Sequence, residues 1–229
     1  MVTRHDAVVA PPAWRGHLNR GIGRVLFGLA YRVEVVGRGN VPPTGPVLFV
    51  GNHSGFLDGP MLPAMAPRPT SVLVKREMFH GLLGWFLGFL GHIPITRGSG
   101  DRAALQGALA VLARGSGGAV GMFPEGTRGR GDVAAVQQGA AWLALQSGAR
   151  LVPVAFLGTR VTGAGRGSLP PLRSRMVMEF GPPVELATQS GTSGRQRLAA
   201  ATEQVRTTLA DHVADAAARH GIALPDDLG

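Results

Sequence analysis

A chain of 229 residues with 16% charged residues and a 45% hydrophobic share can bury a core of its own and is too poor in charge to be disordered. Its 23 Lys and Arg against 14 Asp and Glu leave a net charge of +9, which predicts an anionic partner: an acidic bilayer surface, a phosphorylated substrate or nucleic acid. The lack of cysteine excludes disulfides, thiolate catalysis and Cys-based zinc or iron–sulfur sites, while His-based metal sites stay open.

Residues 1 to about 12 read as a flexible lead without the apolar region or cleavage site of a secretory signal. No stretch supplies the ~20 predominantly apolar residues that cross a bilayer. From Trp14 to Tyr31 the pattern is helical, with Leu18, Ile22, Val25, Leu26 and Leu29 on one stripe and Arg20, Arg24, Phe27 and Tyr31 roughly opposite. Such a helix either lies in a membrane interface or packs on the domain as an ordinary amphipathic helix.

Arg32 to Gly37 reads as an edge strand, and Val47 to Val50, between Pro46 and Gly51, as a buried one. Pro60 suits the first turn of a helix running to about Ala66, and Thr70 to Lys75 forms the next strand. Met78 to Leu90 is the most apolar stretch, broken by Gly81, Gly84 and Gly88. Its length predicts a buried core helix, with an interfacial or re-entrant segment as the alternative.

Ile93 to Arg97 is a short strand, Asp101 to Arg114 a helix, and Ala119 to Phe123 a strand that empties into the turn Pro124-Glu125-Gly126-Thr127-Arg128. Val133 to Ser147 is expected to be helical, Leu151 to Leu157 and Arg175 to Phe180 extended, and Arg195 to about His220 a closing helix after a linker at 191–194. The alternation predicts an α/β fold, a central mixed sheet flanked by helices, with an N-terminal amphipathic helical segment. Three regions follow: residues 1–31, an α/β domain at 32–190, and a C-terminal helix and tail at 191–229 packed on that domain.

In such sheets ligands gather beyond the carboxyl ends of the strands, where His53, Asp58, Arg97, Glu125 and Arg128 all fall. His53 and Asp58 are five apart, about 140° on a regular helix, so they meet only if His53 sits in a turn and Asp58 opens the next helix. An Asp bonded to one imidazole nitrogen would leave the other free to take a proton from a hydroxyl. The plainer reading is a structural hydrogen bond. In the second turn, Arg128 offers a fork suited to phosphate and Gly126 allows close backbone approach, or Glu125 and Arg128 simply pair to shape the turn.

Asn52-His53-Ser54-Gly55-Phe56-Leu57-Asp58 resembles the His-x4-Asp motif of the glycerolipid acyltransferases, among them the 1-acyl-glycerol-3-phosphate (lysophosphatidic acid) acyltransferases. Phe123 to Arg128 is similar to their Phe-Pro-Glu-Gly-Thr-Arg block, Gly91 to Arg97 to the block that ends in a phosphate-contacting Arg, and Val152-Pro153-Val154 to a fourth. The four stand in the family's order across roughly residues 30 to 185.

The resemblance implies that His53 is the general base, oriented by Asp58, and that the acceptor hydroxyl attacks an acyl thioester directly. It implies an acceptor site built from Asn52, Ser54, Lys75, Arg97, Glu125, Gly126, Thr127 and Arg128. The donor would be acyl-CoA or acyl carrier protein, the acceptor a lysophospholipid converted to phosphatidic acid in phospholipid biosynthesis, and no cofactor or metal would be bound. The enzyme would sit in the cytoplasm, peripheral on the anionic inner face of the cell membrane, with no role for nucleic acid.

Val136-Gln137-Gln138-Gly139 lacks a cation usual for the family, and Pro94 and Thr96 replace the usual hydrophobic residue and Asp or Asn. Both departures touch acceptor recognition, so another lysolipid or hydroxylated lipid is an alternative, as is an inactive membrane-binding relative. A hydrolase using His53 and Asp58 as metal ligands lacks a matching second cluster in the sequence.

Overall fold

The computed structural model describes residues 13–96, 100–115, 117–187 and 193–228. The lead, Arg97 and half of the expected linker lie outside them.

Seven strands form one sheet: β1 (Arg32–Val36), β2 (Val47–Gly51), β3 (Thr70–Lys75), β4 (Ile93–Ile95), β5 (Ala119–Met122), β6 (Arg150–Leu157) and β7 (Arg175–Phe180). Their order is β1-β7-β6-β2-β5-β3-β4, with every pairing parallel except β6 with β7. The sheet is therefore mixed, and β1 is an edge strand. The expected order of strands and helices is present.

Strand β2 is central and wholly buried. Val47 and Phe49 point to one layer, Leu48 and Val50 to the other, as the two-residue period of a strand requires. The first layer is α1 (Ala13–Ala30) and α2 (Asp58–Met65); the second is α4 (Arg102–Leu112), α5 (Gly139–Ser147) and α6 (Gly194–His220). Helix α6 begins in a capping box, in which Ser193 and Gln196 each bond the other's backbone N–H, and stops at Gly221 in a left-handed conformation.

Three expectations need correction. The stretch from Met78 is not a core helix. In α3 (Gly81–Phe89) only Gly84 is buried, while Leu82 is 82% and Trp85 64% exposed. The reason is that Gly84 lies against the chain just before the helix, where a Cβ would run into the Phe79 backbone, while the large side chains of α3 face outward.

Helix α1 does pack on the domain, but by the face opposite its apolar stripe. Phe27, Tyr31 and Asn19 are buried, Gly16 and Gly23 lie against Pro69 and Ala64, and the stripe is open, with Val25 at 60% and Leu29 at 72% exposure. Residues 133–138, finally, are not helical. Val133 is fully buried with φ of +56°, a conformation that a β-branched residue adopts only under strain and that cannot continue into a helix.

Candidate active site

Past the end of β2 the chain turns sharply and enters α2, and the turn is held by one carboxylate. Asp58, fully buried as the first residue of α2, receives the backbone N–H groups of Ser54 and Gly55 on Oδ2, each at 2.9 Å. The same oxygen stands 2.9 Å from Nδ1 of His53. A carboxylate oxygen can only accept, so Nδ1 carries a proton, which fixes the tautomer whose neutral ring presents its lone pair at Nε2. The ring is buried and stacks on Phe123 with centroids 4.3 Å apart. The turn and helix start thus bring together two residues that no helix face could.

The loop after β5 grips the same residue by its backbone. His53 N–H donates to Oε1 of Glu125 at 2.7 Å, and its carbonyl accepts from Gly129 N–H at 2.9 Å. Gly126, with φ of +75°, makes the reversal between them without a side-chain penalty. Burial pushes the Glu125 carboxyl up to about 7, helped by the nearby carboxylates Asp132 and Asp58 and opposed by the bond from His53 N–H. The alternative Glu125–Arg128 ion pair does not form among the described contacts. Arg128 instead lies over the Phe56 ring, 5.2 Å from its centroid, and reaches the Arg166 carbonyl at 3.3 Å, with Nε buried and unpartnered.

The remaining expected residues fall into two groups. Asn52 and Ser54 are buried and occupied inside the scaffold. The Asn52 amide closes a two-way bond with the Phe156 backbone, its Oδ1 accepting at 2.7 Å and its Nδ2 donating at 3.2 Å, and Ser54 Oγ meets Thr159 Oγ1 at 3.3 Å. They fix the turn on β6. Thr127 is exposed beside the site, and Lys75 ends β3 in a loose pair with Glu77 at 3.4 Å. Arg97 lies outside the described residues. Among the described residues no three His, Asp or Glu side chains gather closely enough to ligate a metal ion.

One contributor went unread in the sequence. Arg160, its side chain wholly buried, donates to the carbonyls of Ser54, Ala164, Gly129 and Asp227 and to the Asp227 carboxylate. It joins the His53 turn, the end of the Glu125 loop and the C-terminal tail. Its place just past the fully apolar end of β6, the same strand-end position as the other site residues, was the available signal.

A model of the family described as Acyltransferase matches residues 32–157, which includes both turns. The chain belongs to this family. Relatives include a 1-acyl-sn-glycerol-3-phosphate acyltransferase of Chlamydomonas reinhardtii, 34% identical over 136 residues, 56% of this chain and 40% of that protein. A lyso-ornithine lipid O-acyltransferase of Pseudomonas aeruginosa is 37% identical over 108 residues, 46% of this chain and 39% of the relative. The matches thus span about two fifths of these acyltransferases. The fold is also that of the crystal structure of the 1-acyl-sn-glycerophosphate acyltransferase PlsC of Thermotoga maritima, with a TM-score of 0.66 at 22% identity over 87% of this chain and 78% of the other.

Proposed function

We propose that the chain transfers a fatty acyl group from a thioester, acyl-CoA or acyl carrier protein, to the hydroxyl of a lysolipid, with 1-acyl-glycerol-3-phosphate as the first acceptor to test. The observation that carries the reading is the His53–Asp58 pair, with Nδ1 committed to the carboxylate and no described residue bonded to Nε2. In the step this allows, Nε2 takes the hydroxyl proton while the oxygen bonds to the thioester carbonyl carbon. The C–S bond then breaks and the proton passes from His53 to the departing thiolate. Asp58 keeps the tautomer and steadies the imidazolium that forms. Arg128, near the His53 turn through the Phe56 ring and without a carboxylate partner among the described residues, would receive the anionic group of the acceptor on its guanidinium fork.

The acceptor resides in a bilayer, and two helices supply a surface for one. The open stripe of α1 and the exposed Leu82, Leu83, Trp85 and Phe86 of α3 are joined where Trp14 meets the Phe89 ring edge-on at 5.7 Å. Arg15 lies over the Phe89 ring at 4.9 Å, a cation beside the apolar patch as an anionic interface favours. No helix among the described residues is long and apolar enough to cross a membrane, and the reading is peripheral attachment to the inner, anionic leaflet.

The test is purified protein given acyl-CoA or acyl carrier protein thioester with a panel of 1-acyl-glycerol-3-phosphate, lyso-ornithine lipid and other lysolipids, following thiol release and product mass. Transfer that disappears in His53→Ala while the melting curve persists supports the mechanism. Near wild-type turnover in that variant would remove it. The lyso-ornithine arm is included because the Pseudomonas relative is named for that acceptor and because Gln137 and Gln138 stand where the family usually has a cation.

A further inference from the structure

At the opposite end of the sheet from His53, where β2, β3 and β5 begin, the structure holds a cavity of about 440 Å³. Its walls come from the N-terminal half of α1, the α2–β3 connection and the turn between α4 and β5, and His17, Arg20, Arg68, Arg114 and Leu90 line it. It takes no part in the chemistry above. The five-residue strand β2 separates it from the His53 turn by roughly 17 Å.

The three arginines are not equivalent. Arg68 is spent on the scaffold: it donates to the carbonyls of Pro42, Gly45 and Gly117 and so stitches the floor together. Arg20 and Arg114 are not spent. Arg20 Nε and Arg114 Nη2 are buried without a hydrogen-bond partner, and among the described residues neither side chain pairs with a carboxylate. A guanidinium stays charged at any physiological pH, so its buried N–H groups require an acceptor. Burial lowers the pKa of both arginines, and for Arg20 the neighbouring Arg24 and Arg38 add positive charge and lower it further. Two half-exposed guanidinium groups, each with one buried N–H that no described residue accepts, thus line one cavity, and a guanidinium fork matches phosphate oxygens best.

We propose that this cavity binds an anionic phosphoryl group, the phosphate of a lipid headgroup or a soluble phosphate. Its position favours the lipid: His17 lines both this cavity and the neighbouring apolar groove of Leu18, Ile22 and Val25 on the open side of α1, so the anion site adjoins a surface suited to acyl chains. The inference stands on the cavity and holds whether or not His53 performs acyl transfer.

The experiment compares the full chain with the double variant Arg20→Gln, Arg114→Gln in two arms at fixed ionic strength. One arm measures binding to phosphatidylcholine vesicles with and without phosphatidic acid; the other measures inorganic phosphate by calorimetry and by the rise in Tm it causes. The double variant should lose about tenfold in affinity in the vesicle arm if the lipid is the ligand, and in the phosphate arm if the soluble anion is. A control, Arg24→Gln with Arg38→Gln, removes the same charge from the surrounding surface without touching the cavity and should lose far less. Equal losses in the two double variants, or no loss in either arm, would overturn the site. Transfer to a detergent-dispersed short-chain lysolipid should be unchanged in Arg20→Gln, Arg114→Gln, and His53→Ala should keep its phosphate binding, so this inference and the proposed reaction fail separately.

Discussion

Oε1 of Glu125 accepts the backbone N–H of His53 at 2.7 Å, and burial has raised that carboxyl to about 7. A protonated Glu125 still accepts this bond through its carbonyl oxygen, so the neutral acid serves as well as the anion here. Its ordinary value is 4.5, so its contribution to stability is full below pH 4.5 and is lost as pH rises through about 7, by up to roughly 3 kcal/mol. Glu125→Gln preserves the acceptor and removes the titration. The variant is expected to match the wild type below pH 4.5 and to exceed it above pH 7 in denaturant midpoint. Glu125→Ala, which leaves His53 N–H without its acceptor, should be less stable at low pH and slower in transfer.

Asp58→Asn tests the orientation of the base. An amide cannot accept from Ser54 N–H, Gly55 N–H and Nδ1 together while stabilising a charged imidazole, so kcat should fall by about 10²- to 10⁴-fold with a smaller change in KM. A loss seen only in KM would assign the pair to substrate binding.

Arg160→Met keeps much of the volume and removes the fork. The carbonyls of Ser54 and Gly129 and the Asp227 carboxylate lose a buried donor, and stability should drop by about 3–5 kcal/mol, read by chemical denaturation. Turnover should fall as well, because the same donor braces the His53 turn. Arg166→Ala, which removes a donor to the Leu228 carbonyl at an exposed position, should cost far less.

His92 titrates with the opposite sign to Glu125. Burial depresses it from 6.5 to about 4, and its neutral ring joins two elements, Nδ1 accepting from Val72 N–H at 3.2 Å and the Nε2–H this tautomer carries turned to the Asn19 side-chain amide of α1 at 3.3 Å. Its contribution is present above pH 6.5 and is lost as pH falls through about 4, on the order of 3 kcal/mol. Hydrogen exchange across α1 should rise in this acid range, and His92→Gln should flatten the acid limb of the stability profile.

Exposed apolar residues of α3 are expected to matter to lipid and not to folding. Leu82→Ser with Trp85→Ser should leave the midpoint of unfolding within about 0.5 kcal/mol of the wild type and weaken binding to anionic vesicles several-fold. A drop in stability with unchanged vesicle binding would assign α3 to the fold.

The strands were readable from short β-branched and apolar runs bounded by turn residues, most clearly Val47 to Val50 between Pro46 and Gly51. The faces of α1 and α3 were not, since a hydrophobic pattern counts Leu and Val, whereas the surfaces that pack are built around Gly16, Gly23 and Gly84. The end of the expected helix at Val133 was hidden for a related reason: its apolar side chain fits the helical pattern, but its φ does not. The His53–Asp58 pair was legible as a motif, and its geometry follows from a turn that spacing alone does not specify. Arg160 and Asp227, 67 residues apart, meet through folding of the whole chain, and no local pattern joins them.

Because Glu125 and Gly129 hold the N–H and the carbonyl of His53, the loop proposed to face the acceptor and the proposed base share one piece of backbone. Grafting a relative's loop onto this scaffold would therefore transplant part of the mounting of the base as well. A change of acceptor selected through residues 125–129 should arrive with a change in turnover, and compensating substitutions should collect at the turn formed by residues 52–58.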